Sequence, residues 1–321
     1  MMTVYIEEQG AIIQKAQGAL VVRRQGETVY RMPLAGIERL VLVGHVQIST
    51  QALKALLEQG VDVSLMGSGG RLQGKLCAID NGNIFLRLAQ HERFRDMEYR
   101  IGSAKAIVHS KINTQILGIR RHRWEDDHAW IGEAAQLETL RDSLVSRTSL
   151  DEIRGVEGIG SRVYFGAMAR MVKYLRFDGR SRRPADDEVN ALLNLGYTML
   201  TNECVSLLDA EGLDPALGFF HGIAYGRQSL SLDFIETFRQ PIVDRLVIRL
   251  VNWRMLQEND FETDAKIGFK LTSKGLHVFF KQYEKHILEG DPSRRVMLRR
   301  EAQRFRNAVL QGIVYEPREM G

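Results

Sequence analysis

TVYIEEQGAIIQKAQGALVVRRQGETVYRMPLAGIERLVLVGHVQIST, residues 3–50, decides the first part of the fold. Short apolar runs, TVYI at 3–6, AIIQ at 11–14, ALVV at 19–22, TVYRM at 28–32, RLVLV at 39–43 and VQI at 46–48, alternate with Gly10, Gly18, Gly26 and Gly44. Runs of this length, rich in β-branched residues and bounded by turn residues, predict strands. Working outward, Ser49 or Thr50 caps a short helix through QALKALLEQ, which Gly60 closes. VDVSLM at 61–66 alternates as a further strand, and GSGG at 67–70 reads as a hairpin turn, too short to cradle a phosphate.

Beyond Leu88 the texture changes. Charged residues number 16 in the first 88 positions and 68 in the remaining 233, and the denser part carries helical periodicity. Ile107 to Ile119, the i+4 run Ile159, Val163, Ala167, Met171 and Leu175, and Val243 to Leu256 are its clearest stretches. The expected fold class is α+β: a small β-rich, sandwich-like N-terminal domain at 1–86 and a larger all-α C-terminal domain at 87–321. The junction is expected at Asn81-Gly82-Asn83 or a few residues later.

A chain of 321 residues with 44% hydrophobic and 26% charged content needs no disulfide staples. Cys77 and Cys204 stand far apart without metal-ligand spacing, which suits a reducing compartment. The N-terminus has neither a basic region nor an apolar stretch of signal-peptide type, and no run reaches the roughly 18 apolar residues of a membrane span. A cytoplasmic protein is expected. The net charge of +4 suits a polyanionic partner but also many proteins that have none.

The residues that carry chemistry lie in the helical part. Glu157, in RGVEGIGSRVYFGAMARMVKYL, is expected near the start of an amphipathic helix, on one face with Ser161, Tyr164 and Met168. A carboxylate there also simply favours the helix dipole. His221 lies in LGFFHGIAYGRQSLSLDFIETFRQP; Asp233 and Glu236, three apart on the following helix, share a face turned back toward it. Taken singly, each has a structural reading. Together, one imidazole and several carboxylates suit Mg²⁺ or Mn²⁺ rather than structural Zn²⁺, and such a site serves phosphoryl transfer. Neither a Walker loop nor a Ser/His/Asp order competes with it.

These segments resemble the CRISPR-associated spacer-acquisition integrase family, the large adaptation protein. The resemblance covers almost the whole chain, through VYIEEQGAIIQKAQGALVV, MPLAGIERLVLVGHVQISTQAL, LLEQGVDVSLMGSGGRLQGKL, KINTQ, VEGIGSRVYF, DEVNALLNLGYTML, GFFHGIAYGRQSLSLDFIETFR and PIVDRLV. It implies a metal-dependent DNA endonuclease and integrase that joins 3′-hydroxyl ends of captured double-stranded DNA to the CRISPR repeat by transesterification and cleaves branched DNA. It also implies a homodimer formed through the N-terminal domains, and a small ferredoxin-like companion protein. Glu157, His221 and Glu236 then take the family's metal-ligand positions, and Asp233 matches a nearby acid, either a fourth ligand or a supporting group. The sequence departs from the family pattern in its closing Glu where some members carry Asp, in Ser161 for a small apolar residue, and in the ending YEPREMG.

DNA capture requires phosphate contacts. Candidates are Arg227, six residues after His221, and the clusters Arg120, Arg121 and Arg123; Arg180, Arg182 and Arg183; and Arg294, Arg295, Arg299, Arg300, Arg304 and Arg306. The alternative for each is a solvated basic face. Tyr164 either stacks on a nucleotide or packs in the core. Asn190, Asn194 and Tyr197 read as a buried network behind the site, and Met168, Met171, Phe279 and Phe280 as core. The competing functions are a DNA-binding scaffold ordered by metal and a repair nuclease acting on branched DNA.

Overall fold

A computed structural model describes residues 2–67, 72–78, 83–122, 131–181, 184–265 and 268–318. The expected turn at GSGG and the Asn81-Gly82-Asn83 junction therefore fall largely outside the described residues, as do Arg123, Arg182 and Arg183.

The chain divides into two compact units, residues 1–81 with 271–284, and residues 82–270 with 285–321. In the first, every expected strand forms: β1 (Met2–Ile6), β2 (Ile12–Ala16), β3 (Ala19–Arg24), β4 (Glu27–Pro33), β5 (Ile37–Val43), β6 (Gln47–Ile48) and β7 (Asp62–Met66), and a further strand, β8 (Leu72–Leu76), follows. Helix α1 (Thr50–Glu58) is capped by Ser49, whose side chain accepts from the Ala52 amide at 3.3 Å.

The strands make two four-stranded sheets, β1-β5-β7-β8 and β4-β3-β2-β6. In the first, β1, β5 and β7 run parallel and β8 returns antiparallel, so that Val4, Leu40, Val63 and Leu76 stand in one row. In the second, β3 pairs antiparallel with β2 and β4, placing Ile13 opposite Val22. A two-residue turn joins β2 to β3, with Gln17 and Gly18 at φ +47° and +74°; both positive angles match the twist of the flanking strands. Inward residues of both sheets share one core with Ala52, Ala55 and Leu56 of α1.

β5 is buried at Val41 and Val43 as well as at Leu40 and Leu42, so both of its faces are covered. A helix from the far end of the chain lies in this unit, spanning Ser273–Leu288 and belonging to it as far as Glu284. Phe280 stacks on Tyr5 at 4.7 Å between centroids, and Glu284 Oε1 accepts from the Thr3 amide at 3.2 Å.

The second unit holds α2 (Ile84–Arg95), α3 (Met97–His122), α4 (Ile131–Asp142), α5 (Leu150–Met171), α6 (Glu188–Ala210), α7 (Ser229–Ile235) and α8 (Arg245–Asn252). Strands β9 (Phe261–Asp264) and β10 (Gly268–Leu271) form a small sheet in what was expected to be all helix; helices α9 (Ser273–Leu288, introduced above) and α10 (Arg294–Gln311) follow. Between α7 and α8 the backbone makes a π-helical segment, Arg239–Asp244. α3 packs against α4, α5 and this segment, and α6 packs against α7 and the segment. No described helix is long and apolar enough to cross a membrane.

Phe280→Ala removes the buried ring stacked on Tyr5 and is expected to destabilise the protein by about 3–5 kcal/mol. Chemical denaturation checks this; a loss near zero would place the helix outside the core of the first unit.

Candidate active site

Glu157 stands in the third turn of α5. Ser149 and Glu152 cap each other's backbone, so the helix begins at Leu150. Glu157 is thus beyond the reach of the terminal dipole, and its expected place near the helix start is corrected. The buried stripe is also rotated from the expected one: it runs through Ile153, Val156, Gly160, Tyr164 and Ala167, while Ile159 is 46% exposed. Glu157 sits at the edge of that stripe, and Ser161 one turn on donates to its Oε1 at 3.0 Å. Ser161, unexpected as a polar residue there, orients the carboxylate.

The stretch before α7 is fastened at both ends of its peptides. Gln90 of α2 donates to the carbonyls of Asp214 and Leu217, each at 3.0 Å, and accepts from the Asp214 amide at 2.9 Å. Arg100 and Arg154 donate to the carbonyls of Phe219 and Phe220 at 3.2 and 3.1 Å. The amides of those two residues donate to Asp233 Oδ2 at 2.6 and 2.9 Å. Gly218 is required by this packing, since a Cβ would stand 2.7 Å from the Ser229 carbonyl carbon. The loop is therefore held rather than free, and His221 is held with it.

Asp233 completes that attachment. Its Oδ1 accepts from the His221 amide at 2.8 Å and pairs with His221 Nδ1 at 2.6 Å. Three amides and one ring nitrogen use the carboxylate fully, in a buried position. These contacts join Asp233 to His221 and the loop amides, as a supporting group would be. With Nδ1 tied to a carboxylate, the ring is held in place and Nε2 faces the site.

Glu236, at the helical C-cap of α7, faces two cations and the imidazole of His221. Arg239 lies 3.0 Å from its Oε1, His221 Nε2 lies 4.0 Å from the same oxygen, and Lys111 Nζ lies 2.8 Å from Oε2. Burial opposes ionisation, but Arg239, Lys111 and His221 outweigh it and hold the Glu236 carboxyl at about 2. Lys111 of α3 also meets Glu157 Oε1. The two carboxylates thus converge on a single ammonium group. Among the described residues, no three His, Cys, Asp or Glu side chains stand close enough to one another to hold a metal ion directly; Lys111 stands against both carboxylates. The donor set nevertheless fits a hard divalent cation: two carboxylates already drawn to one positive centre, an imidazole nitrogen beside them, and a buried Glu236 Oε2 that completes no aligned hydrogen bond.

A sequence model of the family described as CRISPR associated protein Cas1 matches residues 4–285. The chain belongs to the Cas1 family. A CRISPR-associated endonuclease Cas1 of Moorella thermoacetica is 36% identical over 239 residues, 72% of this chain and 70% of that one. Among solved structures, a Cas1 protein from Thermotoga maritima superposes with a TM-score of 0.86 at 24% identity, covering 99% and 100% of the two chains. A casposase bound to integration product gives 0.87 at 20% identity, covering 100% and 95%. These two likenesses are of fold.

In this Cas1-family chain several supporting groups escaped sequence reasoning. Lys111 carries a signal in hindsight, because Ser110, Lys111, Thr114 and Gln115 interrupt the apolar face of α3 and are all buried. Behind the site, Arg239 lies over the Tyr197 ring at 4.6 Å, and Tyr197 donates to Asp244 Oδ1 at 2.5 Å. Arg180 also lies over the Tyr197 ring, at 5.4 Å, and donates to Asn190 and Asn194 at 2.9 and 2.7 Å. Asn190 and Tyr197 are buried, Asn194 is half-buried, and Arg180 links the two asparagines. Tyr164 is 1% exposed, so it packs in the core and has no face to stack on a nucleotide. Met168, Met171, Phe279 and Phe280 are buried as expected.

The basic run of α10 is largely used internally. Arg294 pairs with Glu289, Arg295 with buried Glu203, Arg304 with Glu301 and Arg306 with Glu211. Arg299 and Arg300 are exposed, as is Arg227. Arg120 pairs with Glu138.

Burial pushes the Asp244 carboxyl up to about 6, against the opposing hydrogen bond from Tyr197 and the charges of Arg239 and Arg180. A raised acid favours its neutral form in the folded state, so this contribution is complete below about pH 4 and is lost as pH rises through about 6. Asp244→Asn cannot ionise and should gain on the wild type across that window. Melting temperatures at about pH 4.5 and about pH 7.5 are expected to shift in the variant's favour by roughly 3 °C or more; a pH-independent difference would count against it.

Proposed function

We propose that this chain is a divalent-metal-dependent DNA endonuclease and integrase of CRISPR adaptation, acting in antiviral defence. It joins the 3′-hydroxyl ends of captured foreign duplex DNA to the CRISPR repeat by transesterification, and cleaves branched DNA with water as the nucleophile. The observation that carries this reading is the convergence of Glu157 and Glu236 on one cationic centre beside His221. The naming of a relative as a CRISPR-associated endonuclease, and a fold shared with a casposase bound to integration product, support it.

Glu157, His221 and Glu236 would hold Mg²⁺ or Mn²⁺. When bound, the ion polarises a phosphodiester and lowers the pKa of the attacking hydroxyl. Asp233 acts through His221, fixing the tautomer that presents Nε2. Arg239 keeps Glu236 ionised, and Tyr197 holds Arg239 in place. Arg227, Arg299 and Arg300 hold the DNA backbone from exposed positions. The β-rich N-terminal unit forms the homodimer, the helical unit is the catalytic domain, and a small ferredoxin-like companion joins the assembly in the cytoplasm.

The purified chain, given the companion, Mg²⁺ or Mn²⁺ and a repeat-bearing plasmid, is expected to yield insertion products. Glu157→Ala and His221→Ala should each lower joining by roughly 10²-fold or more; full insertion by either variant would refute the site. Duplex binding without joining or cleavage under either metal would favour a scaffold instead. Replacing Arg299 and Arg300 with alanine should flatten the salt dependence of duplex affinity by about one unit of log–log slope per lost phosphate contact. An unchanged slope would remove them from the interface.

A further inference from the structure

Lys111 is the one group in the site whose presence a metal-binding role does not explain. Its side chain is 10% exposed, on a helix face where the neighbouring Ser110, Thr114 and Gln115 are buried too. A buried ammonium persists only when paired. Its partners are the two carboxylates that the metal reading assigns as ligands, Glu157 Oε1 and Glu236 Oε2. The second contact is within ion-pair distance at 2.8 Å.

Glu157 and Glu236 bring two negative charges, and Lys111 and Arg239 bring two positive ones; Asp233 is committed to His221 and the loop amides. A divalent ion held by the same two carboxylates would stand within a few ångströms of the ammonium, where repulsion between like charges is strong in a poorly solvated site. Only one of the two cations can lie between those oxygens.

We propose that Lys111 is a tethered counter-cation. It holds Glu157 and Glu236 together in the metal-free protein and competes with the divalent ion for them, so that its withdrawal is part of metal binding. The inference rests on the metal reading above. The tether keeps the competing charge at a constant, high local concentration, which weakens metal binding and keeps the carboxylates from driving each other apart before the metal arrives. The flexible four-carbon stem of lysine suits a group that must leave, as a planar, bidentate guanidinium would not.

Lys111→Met keeps much of the stem and removes the charge. Mn²⁺ binding by the full chain, followed by calorimetry, and melting in EDTA and in saturating Mn²⁺ supply readouts independent of activity. The variant is expected to melt below the wild type in EDTA, to recover that difference in Mn²⁺, and to bind Mn²⁺ about tenfold tighter or more. The double variant Lys111→Met/Glu157→Gln, with both charges gone, should regain most of the stability lost in EDTA. Lys54→Met, at an exposed site in the first unit, should change neither readout. Unchanged or weaker Mn²⁺ binding by the single variant would overturn the competition. A double variant that still fails to fold in EDTA would assign Lys111 to packing and overturn it as well. Absence of Mn²⁺ binding by wild type and variant alike would remove the metal reading itself, and the tethered cation with it.

Discussion

Keeping the buried Glu236 carboxylate ionised sets the terms for the whole helical unit, because burial alone would drive it neutral and the groups that prevent this come from distant parts of the chain. Arg239 is one turn away, His221 arrives on a loop, and Lys111 comes from α3, more than a hundred residues earlier. Each needs its own support. Arg239 is positioned over Tyr197, which α6 supplies, and Tyr197 is anchored on Asp244 of the π-helical segment. The packing of α3 and α6 against that segment is therefore also the assembly of the charge balance around one oxygen pair.

Asp233 and Glu236 lie three apart on one helix, and the surroundings give them opposite tasks. Asp233 meets three backbone amides and a ring nitrogen, donors that are fixed by the loop and cannot move aside. Its oxygens are therefore spent on holding shape. Glu236 meets side-chain cations, which are mobile by comparison, and so keeps the capacity to exchange one partner for another. A hydrogen-bonded carboxylate builds the scaffold, while a charge-paired one remains available for chemistry.

The β unit was legible because alternation and turn residues act locally: each strand from Met2 to Met66 announces itself without reference to its partner. Helical periodicity says less. It marks α9 as amphipathic but does not name what its apolar face meets, and Phe280 meets Tyr5 of β1. In α5 the apolar Ile159 suggested a stripe that the structure turns outward, whereas Ser149 and Glu152 already carried the capping pattern that fixes where the helix begins. Glu157, His221 and Glu236 suggested a set from sequence because carboxylates near an imidazole are unusual in combination, and the structure brings Glu157 and Glu236 onto Lys111 with His221 Nε2 4.0 Å from Glu236.

Charge was the least transparent quantity, and for one reason: a count of basic residues does not distinguish cations that face solvent from those that balance buried acids. In α10 the basic run looked like a surface for polyanions, yet Arg294, Arg295, Arg304 and Arg306 each pair with an acid of this same unit. Lys111 is the extreme case, a lysine in a helix of ordinary amphipathic appearance whose ammonium lies between two acids found 46 and 125 positions away. Its meaning depends on three segments meeting at one point, a relation that no local pattern encodes. A lysine interrupting an apolar helical face is therefore better read as half of an unseen ion pair than as a solvated exception, since burying it alone would cost more than the packing of its helix returns.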